Sequence, residues 1–341
     1  TYYAVARTVA HAGNATALVL LGSTVTTLAL PGSAVSTFSA VAEAAFTASW
    51  SSGGNAPGTR YLAVASTAPA LTLGDAANVT ASTEPEGAPS AVLSPLAANA
   101  SYYLFVAAVS RAGLVGPYVA LGSTVTAPAV PGSAVSTFTA VSSDTAAVAW
   151  GAAGNAGGTL YQAVLSTRTP FIDGLAENVA VTTVPAGSPA AAMSGLAPNT
   201  THYLFVRSLG RAGGASAYAA LGATVTAAQA PSGVYFADIA STSVVAVASV
   251  TGGAFRNLAL PQSAVNISLN GVFQAWVAGS SVAVSSGLTP NTSYAFRAKA
   301  RNLLGVDTPE PALISTYTLA VATLPHGGTA RFSSVFRSSV T

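Results

Sequence analysis

The sequence predicts an all-β protein built as a tandem array of β-sandwich domains with about seven strands each. Two observations lead to this prediction. The segment LGSTVT at residues 21–26 returns at 121–126 and, as LGATVT, at 221–226. A period of 100 residues lets each copy bury a core of its own. Within one period, short runs of Val, Thr, Tyr and Ala alternate with Gly, Pro and Asn turns, which is typical of strands.

The strands of one copy follow in order along residues 127–226. They are expected at residues 133–141, 145–150, 159–167, 177–183, 189–194, 201–209 and 217–226. This count is that of an immunoglobulin-like sandwich. Alanine favours helices intrinsically, but here it is interleaved with Gly, Pro, Thr and Val, which oppose them.

Two recurring segments resemble fibronectin type III domains. WSSGGNAPGTRYLAVAST (50–67) and WGAAGNAGGTLYQAVLST (150–167) resemble that family's Trp-to-Tyr segment. LAPNTTHYLFVRSLGRAG (196–213) and LTPNTSYAFRAKARNLLG (288–305) resemble its Leu-x-Pro-x-Thr-x-Tyr turn and the strand after it. The resemblance covers nearly the whole chain and implies tandem immunoglobulin-like (fibronectin type III) β-sandwiches.

The resemblance also implies roles for single residues. The tryptophans and the third-strand tyrosines would be buried, three leucines would close the core before the sixth strand, and two corner tyrosines would bond back to the backbone. These residues are Trp50, Trp150, Tyr61, Tyr161, Leu96, Leu196, Leu288, Tyr102 and Tyr294. The second copy departs from the pattern with His202 at the corner, and the third with Val250 at the tryptophan position. We expect a differently packed core in that third copy.

The period also sets the expected domain boundaries. Residues 1–26 would be the C-terminal part of one domain, and 27–126 and 127–226 would be complete domains. Residues 227–320 would form a divergent domain and 321–341 the opening strands of another. The chain is therefore expected to be a segment of a longer polypeptide. Short linkers with two prolines, as at 126–131, favour a semi-rigid rod.

Composition excludes several classes of function. Only 6% of the 341 residues are charged, the net charge is +2, and no basic cluster suggests nucleic-acid binding. The absence of cysteine excludes disulfides and thiolate sites. No apolar run approaches the length that spans a bilayer. A surface so poor in charge risks association, so we expect it to be covered by like subunits or glycans.

The sequence gives little support for catalysis or metal binding. The three histidines, His11, His202 and His326, fall in separate copies, and none has a nearby carboxylate pair or a serine in a nucleophile-elbow context. General acid–base catalysis needs groups within hydrogen-bond reach of one another. Asp75, Asp173 and Asp307 are isolated, whereas calcium needs several oxygen ligands close together. We predict no enzyme activity, no cofactor and no metal.

One face of each sheet carries an unusual apolar stripe. If Tyr102 and Leu104 point into the core, Tyr103 and Phe105 must point outward, because side chains alternate along a strand. The complete set of candidate self-association residues is Leu62, Val64, Tyr103, Phe105, Val164, Tyr203 and Phe205. Large exposed apolar patches mark contact surfaces. The alternatives are cross-strand pairs that only stabilise the sheet, or a register shifted by one residue.

Two further sets of residues are candidates for contacts or modification. Arg111 and Arg211 lie at the tip of the loop before the last strand, a common recognition site in the fibronectin-type family, although no RGD triplet occurs. Candidate glycosylation sites are Asn14, Asn78 and Asn266. Three more Asn-x-Ser/Thr triplets, at Asn99, Asn199 and Asn291, lie in the turn motif, where Asn is favoured for backbone reasons.

The function expected from these observations is structural. The chain would be an extracellular or cell-surface spacer, sheath or filament subunit whose sheets pack laterally. Its partners would be other copies of itself or neighbouring domains of a longer chain, with no nucleic acid and no membrane span. The alternatives are an adhesin or glycan-binding module array, and accessory modules of a secreted polysaccharide-degrading enzyme.

Overall fold

A computed structural model describes residues 2–83, 88–183, 189–277 and 282–321, together with the strands at 335–336 and 339–340. Strands β1 (Tyr2–Ala6) and β2 (Val19–Thr24) form an antiparallel hairpin at the start. The short strands β24 (Val335–Phe336) and β25 (Ser339–Val340) pair near the end. Three two-sheet units lie between them, and the described residues contain no helix.

The first sandwich contains seven strands. They are β3 (Gly32–Ser39), β4 (Phe46–Ser51), β5 (Arg60–Ser66), β6 (Val79–Ser82), β7 (Ser90–Leu93), β8 (Ser101–Val109) and β9 (Val119–Val125). One sheet has the order β3-β4-β7 and the other β6-β5-β8-β9, all antiparallel. Buried residues of both sheets join in one core, so the sheets pack face to face.

The second and third sandwiches repeat this strand order. The second comprises β10 (Gly132–Val141), β11 (Thr145–Gly151), β12 (Leu160–Ser166), β13 (Val179–Thr182), β14 (Ala190–Ser194), β15 (Thr201–Leu209) and β16 (Ala219–Val225). The third comprises β17 (Gly233–Ile239), β18 (Ser243–Ser249), β19 (Ala264–Leu269), β20 (Val272–Val277), β21 (Val282–Ser286), β22 (Ser293–Arg301) and β23 (Ile314–Tyr317). All seven predicted strands of residues 127–226 are present, with ends within two residues of those expected.

The core residues named from the resemblance occupy their expected places. Trp50 is buried with its ring edge-on to Tyr61, at 5.7 Å between centroids, and the second sandwich repeats the pair at 5.6 Å. The corner tyrosines also behave as expected, since the hydroxyl of Tyr102 accepts a hydrogen bond from the Ala97 amide at 2.9 Å. The strand order and these contacts confirm tandem fibronectin type III-like sandwiches.

The third sandwich keeps the fold with a different core, as predicted. Without a tryptophan at the position of Trp50, its core is centred on the buried Phe296, whose ring meets Phe236 edge-on at 5.3 Å. Its β19 and β20 are joined by only Asn270 and Gly271, both at positive φ (46° and 82°). This pair is the preferred chemistry of a two-residue hairpin turn, whose backbone twist matches that of the strands.

Replacing Phe46 by alanine tests the first core. Phe46 is fully buried between Phe38 and Tyr102, so Phe46→Ala should lower the free energy of unfolding of the first sandwich by about 3–5 kcal/mol. Calorimetry of the full chain should show one displaced transition. The exposed Val92 on a neighbouring strand is the control, and Val92→Ala should cost less than about 0.5 kcal/mol. Equal effects of the two substitutions would contradict this core.

Candidate functional sites: sheet faces and interdomain joints

The predicted apolar stripe lies on the expected side of the sheet, but most of it is not exposed. Tyr102 and Leu104 belong to the core cluster of the first sandwich, while Phe105 and Val64 pair across strands outside that cluster. The exposed fractions are nevertheless only 2% for Val64, 6% for Phe105, 1% for Val164 and 7% for Phe205. The prediction of exposure was wrong for these four residues. Leu62, Tyr103 and Tyr203 are half-buried.

The physical reason is a loop that folds back over the outer face. In the second sandwich this covering loop is residues 167–178, between β12 and β13. The ring of Phe171 stacks on Phe205, with centroids 4.4 Å apart, and Tyr218 meets Phe171 edge-on at 4.8 Å. The Arg207 guanidinium lies 4.4 Å from the centre of the Tyr218 ring. The outer face therefore forms a small second core within the domain.

The first sandwich has the same arrangement with apolar side chains. Its covering loop is residues 67–78, and the half-buried Leu71 and Tyr118 stand at the positions of Phe171 and Tyr218. Burial raises the pKa of the Tyr118 hydroxyl. The sequence feature that could have indicated this cover is an apolar residue, Leu71 or Phe171, in the middle of the long connection before the fourth strand.

The third sandwich covers the same face differently, because its two-residue turn leaves no loop to fold back. Three cations alternate along β22, and two aromatic residues lie on β20, which is separated from β22 by β19. Together we call these five residues the cation–aromatic face. Its members are Phe273, Trp276, Arg297, Lys299 and Arg301. Lys299 Nζ lies 4.2 Å from the Phe273 ring centre and Arg301 Cζ lies 4.1 Å from that of Trp276. Such stacking is favourable because the aromatic face carries negative charge density.

Two carboxylates tie this face together. Asp307 is 2.7 Å from both Lys299 Nζ and Arg301 Nε, and Glu310 is 2.8 Å from Arg297 Nη1. The hydrogen bond from Arg301, followed by that from Lys299, holds the pKa of Asp307 below its ordinary value. From the sequence Asp307 was expected to be an isolated turn residue, because the pairing depends on how the connection after β22 turns back to that strand.

The joint between the first and second sandwiches is a network of neutral hydrogen bonds centred on Asn99. Its Nδ2 donates to Thr159 Oγ1 and to the Leu209 carbonyl, both at 3.0 Å, and its Oδ1 accepts from the Arg211 amide at 2.8 Å. The backbone of Ala98 adds bonds to Gly154 and Ala156. Asn99 is fully buried and has a φ of 51°, which Asn tolerates better than most residues.

The joint between the second and third sandwiches uses the same asparagine position. Asn199 Oδ1 accepts from the Leu303 amide at 2.7 Å, and its Nδ2 donates to the Asn257 carbonyl. Asn257 reciprocates, since its Nδ2 donates to the Pro198 carbonyl and to Thr200 Oγ1, both at 2.9 Å. Turn geometry was the only role expected for Asn99 and Asn199 from the sequence, and their bonds across the joints are a second role.

The two arginines proposed as loop contacts have different surroundings. Arg211 lies at the joint, where its backbone amide donates to Asn99. Leu303 makes the same backbone bond in the next joint, so this contact does not depend on an arginine side chain. Its guanidinium bonds to the Gly157 carbonyl of its own sandwich. Arg111 is exposed and borders a groove of about 600 Å³ together with Pro57, Gly58 and Arg60.

The candidate glycosylation sites also differ in accessibility. Asn14 is exposed. Asn78 is half-buried, and its Nδ2, the atom that would carry a sugar, donates to the Thr72 carbonyl at 2.8 Å. Asn266 is 3% exposed and its Nδ2 donates to the Gln274 carbonyl, so the structure contradicts this site. Its burial follows from its place on β19, under the cation–aromatic face.

The titratable residues of the described chain do not converge. His11 is exposed, and His202 is buried with Nε2 donating to the Ala197 carbonyl at 3.3 Å; His326 lies outside the described residues. No group of three or more His, Asp or Glu side chains that could hold a metal occurs in the described ranges. The same ranges contain no helix that could span a membrane.

His202 should make the second sandwich sensitive to acid. Burial lowers the pKa of its imidazole from 6.5, so the folded state binds the proton less readily than the unfolded state. Stability from the neutral imidazole is complete above pH 6.5 and is lost as the pH falls below that value. His202→Tyr, which installs the corner residue of the first sandwich, should remove this loss, as measured by thermal unfolding between pH 7.5 and 5. The exposed His11 is the control, and an equal effect of His11→Tyr would contradict the assignment.

Expression in a glycosylating secretory host should separate the asparagine sites. We expect folded, secreted protein to carry sugar at Asn14 and none at Asn99, Asn199 or Asn266, whose amide groups are buried and hydrogen-bonded. Peptide mapping by mass spectrometry measures the occupancy of each site. Full occupancy of Asn266 in protein that melts cooperatively would contradict its buried position.

Comparison with known proteins finds similarity only to solved structures, at low identity. No protein-family profile matches this chain, and no curated protein matches it. Among solved structures, the FN1–FN3 domains of chicken CNTN1 are similar, with 16% identity and a TM-score of 0.30, over 85% of this chain and 99% of that one. A segment of two fibronectin type III domains from chicken tenascin is also similar, with 16% identity and a TM-score of 0.36, over 55% and 96%. Neither similarity bears on the activity or partners of this chain.

Proposed function

We propose that this chain is a non-catalytic spacer of an extracellular or cell-surface protein, in which the joints hold successive sandwiches in a fixed orientation. The observation that carries the proposal is the repeated asparagine joint. Asn99 and Asn199 are both buried, and both bond through the side chain to the next sandwich. A flexible array would need only a linker, whereas these contacts restrict rotation about it.

The chemistry of the joints supports a spacer that works under varied conditions. Their donors and acceptors are amides, carbonyls and hydroxyls, with no ion pair among them. Neutral hydrogen bonds that are buried are screened little by salt and do not titrate at physiological pH. The orientation of the sandwiches should therefore be insensitive to ionic strength.

The burial of the outer faces argues against the prediction that the sheets pack laterally through the apolar stripe. In the second sandwich Phe171 of the covering loop stacks on Phe205, and Phe105 and Val64 of the first sandwich are equally buried. These members of the apolar stripe are therefore not available to a neighbour. The low charge content still favours close association with other surfaces. We therefore place the stiffness of the spacer in its joints and not in contacts through this stripe.

Small-angle X-ray scattering of the full chain tests the proposal. Replacing both Asn99 and Asn199 by glycine keeps the positive φ of each turn but removes the side-chain bonds, each with a net value of about 1 kcal/mol. The double variant should show a shorter average end-to-end distance and a broader distribution of distances. Each sandwich should keep its own melting transition.

The chain provides a matched control in Asn291. It occupies the same position of the same turn in the third sandwich, with the same φ of 51°, but its side chain is exposed. Asn291→Gly should leave the scattering unchanged. Identical scattering from the wild type and the double variant would contradict a spacer stiffened by these joints.

A further inference from the structure

The cation–aromatic face of the third sandwich concentrates charge in a chain that has little of it. Of 12 basic and 10 acidic residues in the sequence, three basic and two acidic ones lie together here. The corresponding face of the first sandwich is apolar, with Phe105 and Ala107 buried at the positions of Arg297 and Lys299. The core does not require this charge, because the first sandwich folds the same strands without it.

The cations form a straight row. Arg297, Lys299 and Arg301 alternate along β22, so they share one face and their Cα atoms are about 6.7 Å apart. Their side chains remain 34%, 18% and 36% exposed. A row of evenly spaced cations on one face of a strand fits an extended polymer that carries charge at intervals.

The aromatic residues add a second kind of contact. Phe273 and Trp276 are half-exposed on β20, and the side chains of Lys299 and Arg301 reach them across β19. Aromatic faces attract the weakly positive C–H groups of a sugar ring, while arginine and carboxylate groups bind adjacent hydroxyls or a carboxylate in pairs. The face therefore presents both the apolar and the polar contacts that a saccharide needs.

The balance of charge selects the kind of saccharide. Asp307 and Glu310 neutralise two of the three cations, which leaves one excess positive charge, and an arginine has five N–H donors, more than one carboxylate occupies. One excess charge is too little for a nucleic acid, whose binding depends on neutralising many phosphates. It suits a polymer that offers neutral hydroxyl and ring contacts in addition to its carboxylates.

We propose that the cation–aromatic face of the third sandwich binds an acidic polysaccharide, with the sugar chain running along β22. Its carboxylates accept hydrogen bonds from the N–H groups of Arg297, Lys299 and Arg301 that Glu310 and Asp307 leave free. Phe273 and Trp276 contact the sugar rings. The covering loops of the first two sandwiches block the same surface there, so binding is confined to the third.

Calorimetric titration of the full chain with polygalacturonate, an unbranched uronic acid polymer, tests this proposal. Wild-type protein should bind polygalacturonate and not the neutral polymer dextran. Lys299→Gln and Trp276→Ala should each weaken binding about tenfold, the size expected for losing one good contact. Lys299→Arg should keep the affinity, and thermal unfolding should show that each variant is folded.

The matched control is Arg207, which occupies the position of Lys299 in the second sandwich but lies beneath Tyr218 and its covering loop. Arg207→Gln should bind polygalacturonate as the wild type does. Absence of binding by the wild type, or an equal loss in Arg207→Gln, would overturn the proposal. Equally tight binding of poly-glutamate that survives Trp276→Ala would show an acidic peptide site instead, and would also overturn it.

Discussion

Each β-sheet has two faces that must either be covered or carry side chains that water solvates well. Only 6% of the residues in this chain are charged, so few such side chains are available for either face. The inner face is covered by the opposite sheet in every sandwich. The outer face of the four-stranded sheet needs its own cover, and the structure provides one in each sandwich. The first two use a loop, and the third uses stacked cations and aromatic rings. The connection before the fourth strand is long in the first two sandwiches and has only two residues in the third, where cations and aromatic rings take the place of a loop.

The ends of the sandwiches also have few charged side chains, and they are covered by contacts with the next sandwich. A turn that needs positive φ accepts few residue types besides glycine and asparagine. Glycine would satisfy the turn at Asn99 and Asn199 but leave the next sandwich without a partner. Asparagine satisfies the backbone and also supplies a donor and an acceptor across the joint. One residue type thus serves local geometry and domain orientation together.

These two constraints explain which features the sequence could predict. Strand positions follow from local periodicity and turn residues, and those of residues 127–226 were predicted to within two residues. Alternation also assigned Phe105 and Phe205 to the outer side correctly. It could not show that Phe171 lies on Phe205, because that contact joins residues 34 positions apart through a loop without periodicity. The partners of Asn99 are about 60 and 110 residues away, beyond any local pattern.

The three sandwiches show how the outer face can change while the fold persists. One position on the sixth strand is Ala107 in the first, Arg207 in the second and Lys299 in the third. Its neighbours on the strand point into the core and stay apolar, as Val106, Val206 and Ala298 do. Since alternation separates the two faces, a substitution on the outer face leaves the core packing unchanged. Stability therefore constrains the inner face more strongly, and a binding surface can arise on the outer face of one sandwich while its neighbours keep theirs covered.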